Sequence, residues 1–254
     1  MRVQNVKVFL MVSNFKQGTH SVSGIDLVIH DLVDGDSGYI EDYLRIYQEL
    51  FPQYVRYLPV MRRRAEERAD HTSIEKWHQW LLIVNDVPVG IVGFLYNRKK
   101  NVGLLMDFAI YPDARRLRGV DGSPFSKVIL GLAMDQLVED ARLEAQTAPI
   151  CLAAEVEYPR LLQKYIEYGY VKFPVEYFEP PSTPELEKVG DKIQELKNAE
   201  FGKMNIGAFQ IPGHPNDLSD TNIIKIVLLA FLEDHYQLPL DHWLIRKVIQ
   251  EISA

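Results

Sequence analysis

The stretch Leu104-Leu-Met-Asp-Phe-Ala-Ile-Tyr-Pro-Asp-Ala-Arg-Arg-Leu-Arg-Gly-Val-Asp-Gly-Ser-Pro-Phe-Ser-Lys-Val-Ile-Leu-Gly-Leu-Ala-Met134 reads as an apolar strand, an arginine- and glycine-rich loop, and a helix. Ser123-Pro124 marks the helix start, an N-cap residue followed by proline at the first helical position. Val128, Ile129, Leu132, Ala133 and Leu137 then give that helix one apolar face. Backbone N–H groups at a helix start have no intrahelical partner and, with the helix dipole, attract anions. Gly119 and Gly122 let backbone approach a phosphate closely, and Arg115, Arg116 and Arg118 add positive charge. The same residues also suit a surface loop whose arginines pair with carboxylates. The loop lacks the Gly-x-x-x-x-Gly-Lys-Ser/Thr pattern of a nucleotide-binding loop and the Gly-x-Gly-x-x-Gly dinucleotide fingerprint.

Upstream, Trp80–Val84 and Val89–Tyr96 flank the polar turn Asn85-Asp-Val-Pro88, which predicts a hairpin, and a turn at Arg98–Asn101 leads into Val102–Tyr111. Ile25–Ile29 reads as a strand, and Gly38–Phe51 as an amphipathic helix capped near Ser37. Met61–Trp80 is charge-rich, with Arg62, Arg63 and Arg64 facing Glu66, Glu67 and Asp70; it reads as a solvated helix, although the triplet could hold an acidic ligand. Downstream, Ile150–Val156 reads as a buried strand, Pro159–Tyr168 as a short helix closed by Gly169, and Val171–Phe178 as a strand ended by Pro180-Pro181. The remainder predicts a helix from Thr183-Pro184 to about Asn198, a strand at Ile206–Ile211, and two helices near 221–236 and 241–252 capped by Asp220 and Asp241.

Composition sets the outer bounds. The chain has 254 residues, 47% hydrophobic and 25% charged, ordinary for a globular protein. Lys plus Arg is 28 and Asp plus Glu is 35, a net charge of -7, which argues against a broad nucleic-acid-binding face. The single cysteine, Cys151, leaves no intrachain disulfide and no multi-cysteine zinc site, so a cytoplasmic location is the simplest expectation. Cys151 reads as a small buried strand residue rather than a nucleophile. The longest apolar run is Ile226–Leu232, too short for a bilayer span of about 20 residues, so no membrane association is expected. Met1–Val12 reads as a strand or tail, not a signal peptide. His71 and His78, like the other histidines, follow no metal-ligand spacing, and no metal is expected.

The order of elements resembles the GCN5-related N-acetyltransferase (GNAT) superfamily. Ile110-Tyr111-Pro112 matches the family's aliphatic-x-Pro strand end. Arg116-x-x-Gly119 with Gly122 resembles its Gln/Arg-x-x-Gly-x-Gly/Ala loop, with the second glycine one position late and the segment from Pro112 one residue long. Tyr158-Pro159-Arg160-Leu161-Leu162-Gln163-Lys164-Tyr165-Ile166-Glu167-Tyr168-Gly169-Tyr170 resembles its Asn-Pro-x-Ala-x-x-x-Tyr-x-x-x-Gly-Phe segment, with Pro159, Tyr165, Gly169 and Tyr170 in register. Tyr158 replaces the asparagine and Leu161 the alanine. The likeness covers roughly residues 22–181, expected to form an acyl-CoA-binding domain at 1–181, with a C-terminal extension at 182–254 packed on it.

The resemblance implies acetyl-CoA as co-substrate. Its pantetheine arm would bond backbone near Ala109, Ile110 and Tyr111, and its diphosphate would rest on Arg116, Leu117, Arg118, Gly119, Val120, Gly122 and Ser123. Tyr165 holds the family's general-acid position, within reach of the coenzyme sulfur; it also reads as a core aromatic. Asp107 lies mid-strand, in a region where relatives often hold a proton-relaying carboxylate, and could equally be a structural ion-pair partner. Glu155, sharing a face with Glu157, is an alternative base.

The expected fold class is α/β: a mixed, mostly antiparallel central sheet flanked by helices, with a helical extension. The expected activity is transfer of an acetyl group to the primary amine of a small molecule or peptide. A non-catalytic coenzyme A-binding regulator is the alternative, and an interaction protein using the terminal helices is a third reading. Those helices carry Ile223, Ile224, Val227, Leu228, Phe231, Trp243, Leu244 and Val248, which must pack on the core, on another subunit (a homodimer), or over the acceptor site.

Overall fold

The computed structural model describes residues 17–22, 25–33, 38–67, 72–189 and 201–253. Met1–Val12, the cap expected at Ser37, His71 and the later part of the helix expected to reach Asn198 lie outside them.

Nine strands form one sheet among the described residues: β1 (Gln17–Val22), β2 (Ile25–Asp31), β3 (Glu75–Val84), β4 (Val87–Asn97), β5 (Val102–Ile110), β6 (Cys151–Val156), β7 (Tyr170–Lys172), β8 (Tyr177–Glu179) and β9 (Gly202–Gln210). The order is β1-β2-β3-β4-β5-β6-β9-β7, with β8 also pairing with β9. β5 and β6 pair in parallel from Gly103↔Leu152 to Leu105↔Ala154. The ladders β1–β2, β2–β3, β6–β9, β7–β9 and β8–β9 are antiparallel. The fold class is therefore the expected mixed, mostly antiparallel α/β. The β3–β4 turn puts Asn85 (φ 49°) and Asp86 (φ 63°) in the left-handed region, the tight hairpin geometry that Asn and Asp tolerate best after glycine.

The chain divides into two compact units. The first comprises Met1–Asp70, Trp77–Phe94 and Asp107–Gln136. It holds α1 (Ile40–Leu50), a 3-10 segment Pro52–Tyr57, α2 (Leu58–Glu66) and most of α3 (Phe125–Leu143). Ile40, Tyr43, Leu44 and Tyr47 recur at helical spacing on α1 and pack with Met61 and Ala65 against Leu81, Ile83 and Ile91. Each such leucine or isoleucine, fully buried, stabilises the fold by about 1.5–3 kcal/mol.

The second unit comprises His71–Lys76, Leu95–Met106 and Leu137–Ala254. It holds α4 (Pro159–Glu167), α5 (Pro184–Val189), α6 (Thr221–Leu229), which runs on as a π-helical turn Ala230–His235, and α7 (Trp243–Ser253). Asp220 caps α6 as expected, accepting from the Asn222 N–H at 2.7 Å. Ile224, Val227, Leu228, Phe231, Leu244 and Val248 are buried, so the chain itself covers most of the terminal helices' apolar surface; Trp243 is half exposed. Lys99 and Lys100 pair with Glu233 and Asp234 at 2.6–3.0 Å, fixing the β4–β5 turn to the π-helical turn.

Three local expectations are corrected. The charge-rich helix ends at Glu66 rather than running to Trp80, and β3 begins at Glu75. Ser73 turns the chain there by accepting the Glu75 N–H, and the β3 residues His78, Gln79 and Trp80 are all buried, which a solvated helix face would not allow. The strand expected at Val171–Phe178 is two three-residue strands, separated by a segment whose Pro174 has no N–H to give a ladder. The cap of α7 is supplied by His242, whose ring nitrogen takes the Leu244 N–H, not by Asp241.

Candidate active site

β5 delivers the chain to the loop. The Tyr111 N–H bonds back to the Val89 carbonyl at 2.9 Å, and a 3-10 turn spans Ala114–Arg116. The three arginines then act locally. Arg115 donates through Nε to the Ile110 carbonyl (2.9 Å), Arg116 pairs with exposed Asp113 (3.2 Å), and Arg118 folds back on the carbonyls of Arg115, Arg116 and Leu117. The loop amides are also engaged. Gly119 donates to the Ser123 carbonyl (2.7 Å), Gly122 to the Gly119 carbonyl (2.9 Å), and Leu117 to the Ala114 carbonyl (3.1 Å). Asp121 receives both the Ser123 N–H (2.9 Å) and the Ser123 hydroxyl (2.7 Å), which holds its carboxyl below the usual range. A carboxylate of the chain thus occupies the position beside the helix start that an anion would seek.

Both loop glycines are demanded by geometry. Gly122 has φ +81°, and a Cβ at Gly119 would stand 2.8 Å from both Asp121 Oδ1 and Val128 Cγ2.

Asp107 sits on β5, partly exposed, facing α1. The Tyr47 hydroxyl hydrogen-bonds it, and Tyr43 lies close; burial and the Asp107 charge push both phenols well above their ordinary range. Both phenols therefore keep their protons, and Tyr47 donates to Asp107. The arginine triplet of α2 is occupied within the chain: Arg62 bonds Glu41 at 2.5 and 3.1 Å, Arg63 pairs with Glu67 at 3.7 Å, and the Arg64 guanidinium lies 3.2 Å from the Trp77 ring centroid.

In the second unit, Tyr165 is buried on α4, its ring 5.9 Å from Tyr170 and 5.2 Å from Phe209. Burial pushes its phenol up, so it stays protonated. Glu155 on β6 accepts hydroxyls on both oxygens, from Tyr177 and from Tyr236 (2.8 Å), and burial raises its pKa. That arrangement ties β6 to β8 and to the end of the π-helical turn. Cys151 is buried and its thiol is pushed up to about 12.

Asp107, Ala109, Ile110, Tyr111 and the loop residues Arg116–Ser123 therefore share the first unit, while Tyr165 and Glu155 belong to the second. Sequence reasoning missed Tyr43 and Tyr47; their signal is an i, i+4 tyrosine pair on the buried face of an amphipathic helix. It also missed Asp121. No cluster of three or more metal-ligating side chains occurs among the described residues, and no described helix is long and apolar enough to cross a membrane.

No protein-family model and no curated protein matches the sequence. Solved structures do. A GNAT-family protein from Bacteroides thetaiotaomicron is 14% identical with a TM-score of 0.46, over 83% of this chain and 99% of that one. Tetrahymena GCN5 is 11% identical with a TM-score of 0.43, over 76% and 99%. The ribosomal-protein-S18-alanine N-acetyltransferase from Escherichia coli is 13% identical with a TM-score of 0.40, over 75% and 97%. The chain is thus similar in fold to structures that include a GNAT-family protein and an N-acetyltransferase, at identities and TM-scores that leave its activity to be argued from its own residues.

Proposed function

We propose that the chain is an acyl-CoA-dependent N-acyltransferase of the GNAT type, passing an acetyl group from acetyl-CoA to a primary amine by direct attack. The observation that carries this reading is the strand–loop–helix unit from Asp107 to Gln136. An aliphatic-x-Pro strand end leads through a loop with two glycines, one demanded by packing at Gly119 and one by its φ at Gly122, into α3, and a carboxylate stands on the strand just before it. Backbone of Ala109–Tyr111 would pair with the pantetheine arm as an added strand does, and residues 116–123 would hold the diphosphate once Asp121 releases Ser123. Asp107 would receive the proton the amine gives up, and Tyr165, which keeps its proton throughout the physiological range, would supply one to the departing thiolate.

The engaged loop amides favour a second reading, a coenzyme A-binding protein without turnover. One pair of measurements separates them. Acetyl-CoA at saturating concentration should raise the melting temperature, because a ligand of the native state stabilises it; no shift overturns both readings. Thiol release with a panel of amines then distinguishes an enzyme from a coenzyme-binding regulator.

A further inference from the structure

We infer that Arg115 is a specificity switch: its guanidinium caps the open-edge carbonyl of Ile110, and it yields that carbonyl to a ligand that brings both an amide N–H for the strand and a diphosphate for the guanidinium. This rests on the acyltransferase reading and gives that site the residue by which it distinguishes coenzyme A from its phosphate-free fragments.

Strand geometry puts the Ile110 carbonyl on the open edge of β5. The Tyr111 N–H bonds to the Val89 carbonyl on β4 at 2.9 Å. The Ala109 carbonyl also faces β4, where a Cβ at Gly90 would lie 2.6 Å from it. Peptide units alternate in direction along a strand, so the Ile110 carbonyl between them points away from β4. The ladder on that other side runs from Gly103 to Leu105 and does not reach Ile110. A carbonyl on such an edge is what an added strand pairs with. Here Arg115 holds that place, its Nε donating to the Ile110 carbonyl at 2.9 Å.

The chain is folded to make this contact. β5 ends at Ile110, and the Ala114 and Arg115 N–H groups both bond to the Tyr111 carbonyl, at 3.0 and 3.2 Å. That turn brings the Arg115 side chain back to the strand end. Its neighbours are occupied differently. Arg116 pairs with Asp113, and Arg118 folds onto the carbonyls of Arg115, Arg116 and Leu117. Arg115 is exposed, and among the described residues its guanidinium meets a neutral carbonyl and no carboxylate. A bond from a guanidinium to a phosphate is about twice as strong as one between neutral groups, and it can be bidentate.

The exchange conserves hydrogen bonds. As Arg115 leaves, the Ile110 carbonyl accepts an amide N–H from the ligand arm, and the guanidinium donates to diphosphate oxygens. An arm without phosphate breaks the Arg115 bond and offers the guanidinium nothing. A phosphate without the arm leaves the carbonyl without a donor if it draws Arg115 away. The two halves of the ligand are therefore coupled through one side chain.

The test titrates coenzyme A, dephospho-coenzyme A (which lacks the ribose phosphate but keeps the diphosphate) and pantetheine into the full chain and its Arg115→Met variant. Calorimetry reads the first two at low and high salt, and ligand-observed NMR reads the weaker pantetheine. Arg115→Met should weaken coenzyme A by about tenfold, through the lost charge-assisted contact. It should tighten pantetheine by about two- to fivefold, because the carbonyl no longer has to be freed. Dephospho-coenzyme A should lose as much as coenzyme A, and the salt dependence of both should shrink. Equal weakening of coenzyme A and pantetheine would mean that Arg115 only shapes the loop, and overturns the exchange. So does unchanged binding of both, or a variant that binds no pantetheine. A loss confined to coenzyme A, with dephospho-coenzyme A unaffected, overturns the assignment to the diphosphate. In each of these cases wild type still binds coenzyme A and the acyltransferase reading stands. Absence of coenzyme A binding to wild type overturns that reading and the switch together.

Discussion

The Asp121 carboxylate closes the loop on itself, taking the Ser123 N–H at 2.9 Å and the Ser123 hydroxyl at 2.7 Å. Under the acyltransferase reading, an incoming diphosphate would have to displace it and approach its negative charge. Asp121→Asn removes the charge and weakens the internal contacts. Acetyl-CoA should bind about two- to fivefold more tightly, the scale of one solvent-screened charge. Calorimetric titration of the two proteins checks this, and weaker binding by the variant would mean that the carboxylate helps hold the binding form.

Gly119 is a sharper probe of the same loop. The Cβ of Gly119→Ala would meet Asp121 Oδ1 and Val128 Cγ2 at 2.8 Å, so the loop and the first turn of α3 must separate. At Gly122 a Cβ meets nothing within 4 Å, and only the φ of +81° resists it. Gly122→Ala should cost about 1–2 kcal/mol, the strain of a left-handed alanine. Gly119→Ala should cost more and weaken acetyl-CoA binding as well. Chemical denaturation and titration of both variants give the order, and equal losses at the two sites would contradict the packing argument.

Legibility in the sequence followed the range of the interactions. The β3–β4–β5 meander, α3 and Gly169 (φ +100°) were readable because turn chemistry and periodicity are local. The segment at 61–80 was not, because Arg62, Arg63 and Arg64 look like a solvated helix face until Trp77 is known to lie under Arg64. Asp107 could be singled out as a carboxylate in a strand, yet its partner Tyr47 is 60 residues earlier and was hidden among core aromatics. Glu155 illustrates the opposite failure: period-two alternation brings out the residue, while the hydroxyls that close it come from Tyr177 and Tyr236, on elements that local reading cannot bring to β6.

Glu155 should also govern part of the pH dependence of stability. Burial raises its pKa in the folded state, outweighing the two tyrosine donors. A carboxyl with a raised folded pKa binds its proton more tightly when folded, so its contribution is full below the unfolded value, near 4.3, and is lost as pH rises through the folded value. Relative to Glu155→Gln, wild-type stability should therefore fall as pH rises above about 4.3, the unfolded value. Glu155→Leu leaves two buried hydroxyls without their acceptor and should cost about 2–4 kcal/mol. Urea denaturation at pH 5 and pH 8 decides, and a pH-independent difference between wild type and the glutamine variant would show that Glu155 is ionised in both states.

Asp234 is buried where Lys99, Lys100 and the Asn97 amide converge on it, at 2.9, 2.6 and 3.0 Å. Removing it by Asp234→Ala leaves the largely covered Lys100 ammonium with Glu233 alone, at 2.8 Å, and takes the acceptor from the buried Asn97 amide. The expected loss is about 2–3 kcal/mol, the cost of a buried donor left without its charged acceptor. Asp234→Asn keeps the shape and one acceptor and should lose less. The exposed pair Arg116–Asp113 is the control, where Asp113→Ala should change stability by less than about 1 kcal/mol. Comparable losses at the two sites would mean that the network is solvated.

Tyr165 carries the last distinction, between a core ring and an acid. Its ring packs on Tyr170 and Phe209, so Tyr165→Phe keeps the packing and deletes only the hydroxyl. As a core residue alone it would give a variant with unchanged melting temperature and unchanged turnover. As the donor to the thiolate it would give unchanged acetyl-CoA binding with turnover slowed by about 10²-fold or more, the usual share of general acid catalysis. Because burial lifts the phenol well above its ordinary range, proton donation is not poised at neutral pH, and the wild-type rate should show no alkaline limb from Tyr165 below about pH 10. A limb below that pH that vanishes in Tyr165→Phe would overturn the protonated, buried state described for this residue.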